Sequence, residues 1–143
     1  MLFNIGIEPA TNENEAYGII VPVFNKVNYG CNSAADNEKD IVQQATDAIL
    51  TMAEELIFDG IDLELLNEGY ADYSQNPDYS DFTRWLAIDI DISELKGKPK
   101  RININLPDTL LMRIDSFVAN SEKYKDRSHL LAIAAQNEIT HQQ

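Results

Sequence analysis

The chain has 143 residues, 44 % of them hydrophobic and 24 % charged, with a formal net charge of −13. That size holds one compact domain or two small ones, and that balance excludes a disordered chain. No run approaches the ~18 apolar residues of a membrane span, and MLFNIGIEPA lacks the basic-then-apolar order of a secretory signal, so a cytoplasmic protein is expected.

The charge is unevenly spread. Residues 1–95 carry three basic side chains (Lys26, Lys39 and Arg84) against nineteen acidic ones, a net −16, whereas residues 96–143 carry eight basic and five acidic, a net +3. A basic segment can approach phosphate and an acidic one repels it, so the asymmetry suggests two parts with different partners. A plain acidic domain with a mildly basic tail is the alternative. Cys31 is the only cysteine; it cannot form an internal disulfide and reads as a free thiol in a reducing compartment.

In chain order, LFNIGIE alternates Phe3, Ile5 and Ile7 with polar or small residues and predicts a strand. A polar turn at 11–15 leads to a second strand, Tyr17–Val23, and the short link makes the two an antiparallel hairpin. A short third strand is expected over Gly30–Ala34. A long helix follows, capped by Asp36 or Asn37, with Ile41, Ala45, Ala48, Ile49, Met52, Ala53 and Leu56 on one stripe and Gly60 as its stop. Residues 59–84 are acidic, with Tyr70, Tyr73 and Tyr79 around Asn76-Pro77; we read them as a long surface loop, with an interaction arm as the alternative. A fourth strand, Trp85–Ile92, sets Leu86, Ile88, Ile90 and Ile92 against Trp85, Ala87, Asp89 and Asp91. The order predicts an α+β layer with one helix over one face of a sheet.

SELKGKP, Ser93–Pro99, coincides with the charge switch and is a natural linker, which divides the chain into domains 1–94 and 95–143. Beyond it, Arg101–Leu106 alternates Ile102, Ile104 and Leu106 with Arg101, Asn103 and Asn105. Pro107-Asp108 opens a helix with Leu110, Leu111, Ile114, Phe117 and Val118 on its stripe. After a turn at Asn120–Asp126, a second helix runs from Arg127 or Ser128 to His141 and should bury Leu130, Leu131, Ala134, Ala135 and Ile139.

One strand and two short helices cannot close a core, and a lone strand leaves its N–H and C=O groups unpaired. The same strand of a second chain supplies the remedy, by pairing antiparallel under four helices. The outer face of that ribbon then shows Arg101, Asn103 and Asn105 twice, the side-chain types that fork onto guanine and adenine edges in a major groove. Lys98, Lys100 and Arg127, with Ser128 at the helix start, are the candidate phosphate contacts. With RININLPDTLLMRID and DRSHLLAIAA in this order, residues 99–140 resemble the ribbon-helix-helix repressors, which implies an obligate dimer on a palindromic operator. Pairing of dimers into tetramers is left open.

AYGIIVP, followed by YGCNSAADNEKDIVQQATDAI, resembles the HicB-type antitoxins of bacterial toxin–antitoxin pairs. The resemblance rests on Tyr17, Gly18, Val21, Pro22, Gly30, Cys31, Ser33, Ala34, Asp36, Ala45 and Ala48. It implies a partial ribonuclease-H-like domain joined to a DNA-binding piece. It also implies an antitoxin that neutralises a small basic HicA-type RNA-cleaving toxin and represses its own operon. A domain at −16 complements a basic RNA-gripping partner electrostatically. The competing reading is a stand-alone repressor whose N-terminal domain senses a ligand or a protein.

An enzyme is not expected. Two-metal nuclease chemistry needs several converging carboxylates; Asp89 and Asp91 share a strand face, yet no acidic partner falls within the first strand, and Glu8 lies only at its end. No cofactor or metal motif is present, and His129 and His141 lack ligand spacing.

Overall fold

The computed structural model describes residues 1–141, with side chains through residue 139, so the imidazole of His141 lies outside the described part. The chain divides into two compact units, Met1–Gly97 and the residues from Lys98 onward.

In the first unit, β1 (Leu2–Glu8) and β2 (Tyr17–Ile20) form the expected hairpin, with Ile7 opposite Ile19. β2 is shorter than Tyr17–Val23, because proline has no N–H to give to a ladder. At Pro22 the backbone turns into a 3₁₀ segment, Pro22–Val27, whose Val23 and Phe24 are buried, and the Phe24 ring stacks on Phe3 at 6.1 Å. β3 (Asn32–Ala35) begins two residues later than expected. Cys31 lies opposite the turn instead, its carbonyl accepting from Val21 N at 2.9 Å.

The long helix α1 (Ile41–Phe58) buries Ile41, Ala45, Ile49, Ala53 and Leu56, positions spaced to fall on one stripe. Its start differs from expectation: a single 3₁₀ turn, Glu38–Asp40, precedes it, and Asn37 Nδ2 donates to Asp40 Oδ2 at 3.1 Å without capping the helix backbone. Its end is a Schellman motif. Gly60, at φ 75°, donates to Ile57 O at 3.0 Å, and Ile61 N donates to Leu56 O at 2.8 Å. A left-handed residue is required there, which makes glycine the fitting stop.

Residues 59–84 are not a plain surface loop. A 3₁₀ turn, Leu63–Leu66, drops Leu63 and Leu66 into the core at 2 % and 0 % exposure. Farther on, Tyr73 and Tyr79 pack against Trp85, with ring centroids 5.7 and 6.0 Å away. Trp85 opens β4 (Arg84–Asp89), which pairs with β1, Phe3 opposite Ile88 and Gly6 opposite Trp85. A Cβ on Gly6 would meet the Trp85 ring at 2.7 Å, so this glycine lets the indole lie across the strand. β4 stops at Asp89, short of Ile92, although Ile90 N still donates to Met1 O at 2.9 Å and Ile90 and Ile92 are buried.

The sheet order is β3-β2-β1-β4, all antiparallel. β1 is therefore interior, which explains why Asn4 and Gly6 are buried along with Phe3, Ile5 and Ile7. One face lies under α1; the other is covered around Asn4 and Gly6 by the 59–84 segment.

The second unit contains α2 (Asp108–Ala119) and α3 (Arg127–His141). Residues 101–107 pair with no strand among the described residues. Of the apolar side chains expected in a core here, only Ile114 is buried; Leu110, Phe117 and Ile139 are exposed, at 38 %, 56 % and 63 %, and Ala134 and Ala135 are exposed as well. Two helices facing each other across one seam cannot cover both stripes, so the remainder stays open in a single copy.

Candidate functional site

Two surfaces carry the functional candidates, one in each unit. In the second, α2 begins after Pro107, whose carbonyl accepts from Leu111 N at 3.0 Å. Proline suits this position because its fixed φ precedes a helix without strain. α3 is started by Asp126, whose Oδ1 accepts from His129 N at 2.8 Å. The turn between the helices is set by Tyr124, its ring between those of Phe117 (5.8 Å) and His129 (6.0 Å).

Lys98, Lys100, Arg101, Asn103, Asn105 and Ser128 are all exposed. So are two of the side chains meant to lie beneath the strand: Ile102 is 72 % exposed and Ile104 55 %. These two, with Leu106, Leu111, Leu131 and Ala135, line an open groove of about 870 Å³. Lys100, Arg101, Arg127 and Ser128 lie along the same groove, which brings four of the seven sequence candidates together. Asn103, Asn105 and Lys98 are not part of its lining.

Arg127 has a second attachment that the sequence did not reveal. Its Nε and Nη2 fork onto the Asp115 carboxylate at 3.0 and 2.8 Å, tying the start of α3 to α2. The guanidinium holds the Asp115 carboxyl below its ordinary range and is itself pushed up by it. Twelve residues and a turn separate the partners, so no helical spacing announces the pair.

The first unit offers an acidic surface. Three of its four basic side chains are engaged by carboxylates: Lys26 with Glu68 at 2.6 Å, Lys96 with Glu64 at 3.5 Å, and Arg84 with Glu38. Glu68 is the centre of a polar cluster; its side chain is 6 % exposed. Its Oε1 accepts from Asn4 Nδ2 at 3.0 Å, and its Oε2 accepts from Lys26 Nζ and Tyr73 Oη, each at 2.6 Å. Burial pushes the Glu68 carboxyl up, but the Lys26 ammonium and the hydrogen bonds from Tyr73 and Asn4 outweigh it, so the group lies below its ordinary value of 4.5. The Tyr73 hydroxyl is pushed up, by burial first and by Glu68 next. Asn4, the buried polar residue of β1, is thus satisfied, its Nδ2 also reaching Gly69 O at 2.9 Å.

Cys31 is 2 % exposed, and burial pushes its thiol up to about 12. Asp89 and Asp91 are not brought to a common centre. Asp89 Oδ1 accepts from the Met1 ammonium at 3.0 Å, while Asp91 Oδ1 accepts from Ser93 N at 2.9 Å.

No helix among the described residues is long and apolar enough to cross a membrane. The chain matches, over residues 3–135, the family model described as HicB-like antitoxin of bacterial toxin–antitoxin system. A protein of Haemophilus phage HP1, described as an uncharacterized 14.9 kDa protein in the rep-hol intergenic region, is 35 % identical over 139 residues, covering 97 % of this chain and 98 % of its own. The crystal structure of the Burkholderia pseudomallei antitoxin HicB is 29 % identical, with a TM-score of 0.50, over 95 % of this chain and 96 % of that one. The crystal structure of antitoxin HicB3 is 24 % identical, with a TM-score of 0.48, over 97 % and 98 %. The α+β build, with its four-stranded antiparallel sheet, agrees with the HicB structure, and the family match spans most of both units. The chain belongs to the HicB-like antitoxins of bacterial toxin–antitoxin systems.

Proposed function

We propose that the chain neutralises a small basic HicA-type toxin through its acidic N-terminal domain, residues 1–94, and represses its own operon through its C-terminal domain, residues 95–143. In this reading the second unit is a ribbon-helix-helix domain. Arg101–Leu106 pairs antiparallel with the same segment of a second copy, and four helices cover the apolar side of the ribbon.

The observation that carries the reading is the open groove beside Ile102, Ile104 and Leu106. Ile102 and Ile104 are 72 % and 55 % exposed on a segment without a ladder partner, in a unit whose described core is Ile114 alone. Exposed alternating isoleucines beside an apolar groove cost free energy until they are covered, and a second copy covers both sides at once. Dimerisation then leaves Arg101, Asn103 and Asn105 on the outer face, where a two-stranded ribbon reads base edges. Lys98, Lys100, Arg127 and Ser128 contact phosphate. Arg127 does so while holding Asp115, because its fork uses Nε and Nη2 and leaves Nη1 available.

The first unit is acidic because nineteen carboxylates outnumber three basic side chains over residues 1–95, which suits an RNA-gripping toxin that must itself be basic. Operator titrations test the division of labour. Arg101→Ala and Asn103→Ala should each cost about 1–3 kcal/mol at the operator and leave toxin binding unchanged. Loss of toxin binding with the operator spared would overturn the assignment.

A further inference from the structure

The single helix does not cover the whole sheet. Gln44, Ala48, Thr51 and Met52 of α1 lie with Gly30, Asn32 and Ser33 around one small cavity, so that flank of the helix faces the β3 edge. The opposite flank carries Val42, Thr46, Leu50 and Ile57, at spacings of four, four and seven. It therefore faces away from β3, toward β4, and the Arg84–Glu38 ion pair brings the start of β4 to the turn just before α1. Leu86 and Ile88 of β4 sit opposite Ile5 and Phe3 and so share the face that α1 covers, yet both are only half-buried. Val42 is 50 % exposed, Ile57 37 %, and Leu50 is half-buried. The result is an incompletely covered apolar strip between α1 and β4.

Beside the strip, β4 is the last strand of the sheet. Met1 and Ile90 exchange hydrogen bonds, Ile90 N to Met1 O at 2.9 Å and Met1 N to Ile90 O at 2.8 Å. Antiparallel ladders alternate, so Ile88, Leu86 and Arg84 bond inward to β1. Trp85, Ala87 and Asp89 turn their N–H and C=O groups outward, along the open edge. Ala87 and Asp89 are exposed.

We propose that a strand of the small basic partner adds to the β4 edge, with its apolar side chains over Leu86 and Ile88 against the Val42–Leu50–Ile57 flank and its basic ones on the opposite face, toward Asp89. This rests on the antitoxin reading above and adds where the partner docks. Strand addition supplies affinity through main-chain hydrogen bonds and specificity through alternate side chains. The acidity of the unit selects a cationic partner, a choice that an apolar strip alone would not make.

The test uses the full chain and the small basic protein that copurifies with it when both are expressed from their native flanking genes. Hydrogen exchange should slow at Trp85, Ala87 and Asp89 in the complex. Val42→Lys puts a cation in the strip at an exposed position, and Ala87→Pro removes one outward N–H without touching the β1 ladder. Each should weaken binding about tenfold or more with the circular-dichroism melt unchanged. If the wild type binds its partner but these amides are not protected and Val42→Lys binds within about twofold, the docking surface is wrong and the antitoxin reading stands. Should Ala87→Pro fail to fold, exchange and Val42→Lys still decide. If the wild type retains no basic protein, both readings fall.

Discussion

The two units solve the burial problem in opposite ways. The first encloses eighteen buried side chains in one cluster drawn from β1, β2, β3, the turn after β2, α1, the 59–84 segment and the stretch just after β4. The second has one described buried side chain, Ile114, and leaves Met112, Ile102 and Phe117 more than half exposed. The first unit meets the entropy cost of folding from within its own chain, whereas the second has apolar surface still to cover. Acidic surface goes with the self-sufficient unit and basic surface with the incomplete one. In the proposed function a partner of a different kind suits the first, and a copy of itself the second.

The sharpest way to break this contrast is Ile104→Asp. A carboxylate at a side chain 55 % exposed in one copy should not disturb the first unit, but it would be buried without a counter-charge in the proposed dimer. Sedimentation should show the dimer abolished, and differential calorimetry should show the transition of the second unit lost with that of the first intact. A dimer that survives would mean the ribbon is not the interface.

Next in size is Leu66→Ala. Leu66 is 0 % exposed in the core of the first unit, and truncating such a leucine costs about 2–5 kcal/mol. Urea unfolding should register the loss in the acidic unit alone. A negligible loss would mean the 59–84 segment is a dispensable cover.

The smallest expected effect is on pH. Glu68 is held below its ordinary value of 4.5 in the folded unit, so folding favours its charged form. Its stabilisation is complete above that value and is lost as pH falls through and below it. The melting temperature of the first unit should drop on acidification in that window, and Glu68→Gln should flatten the slope. An unchanged slope in the variant would remove Glu68 as a source of acid sensitivity.

Much of this was legible in the sequence. The alternation of Phe3, Ile5 and Ile7 marked β1, and the stripe from Ile41 to Leu56 with Gly60 beyond it marked α1, because both rest on local periodicity and a local φ requirement. Where Pro22 ends β2 was legible too, had the missing N–H been weighed against the alternation of Val21 and Val23. The Leu63–Leu66 spacing in an acidic stretch was the one available sign that residues 59–84 fold inward.

By itself, then, the sequence determined the four strands and long helix of the first unit in order, the two helices of the second, the charge division near residue 96 and the resemblance to the HicB-type antitoxins, all written in near neighbours along the chain. Tertiary structure alone decided that β1 is the interior strand, buried on both faces, and that Asn4, Glu68, Tyr73 and Lys26 meet in one cluster. It alone set Trp85 across Gly6 and forked Arg127 onto Asp115. Each of these joins residues brought together by sheet order or helix packing, and no periodicity within one element encodes which distant segment will lie across it.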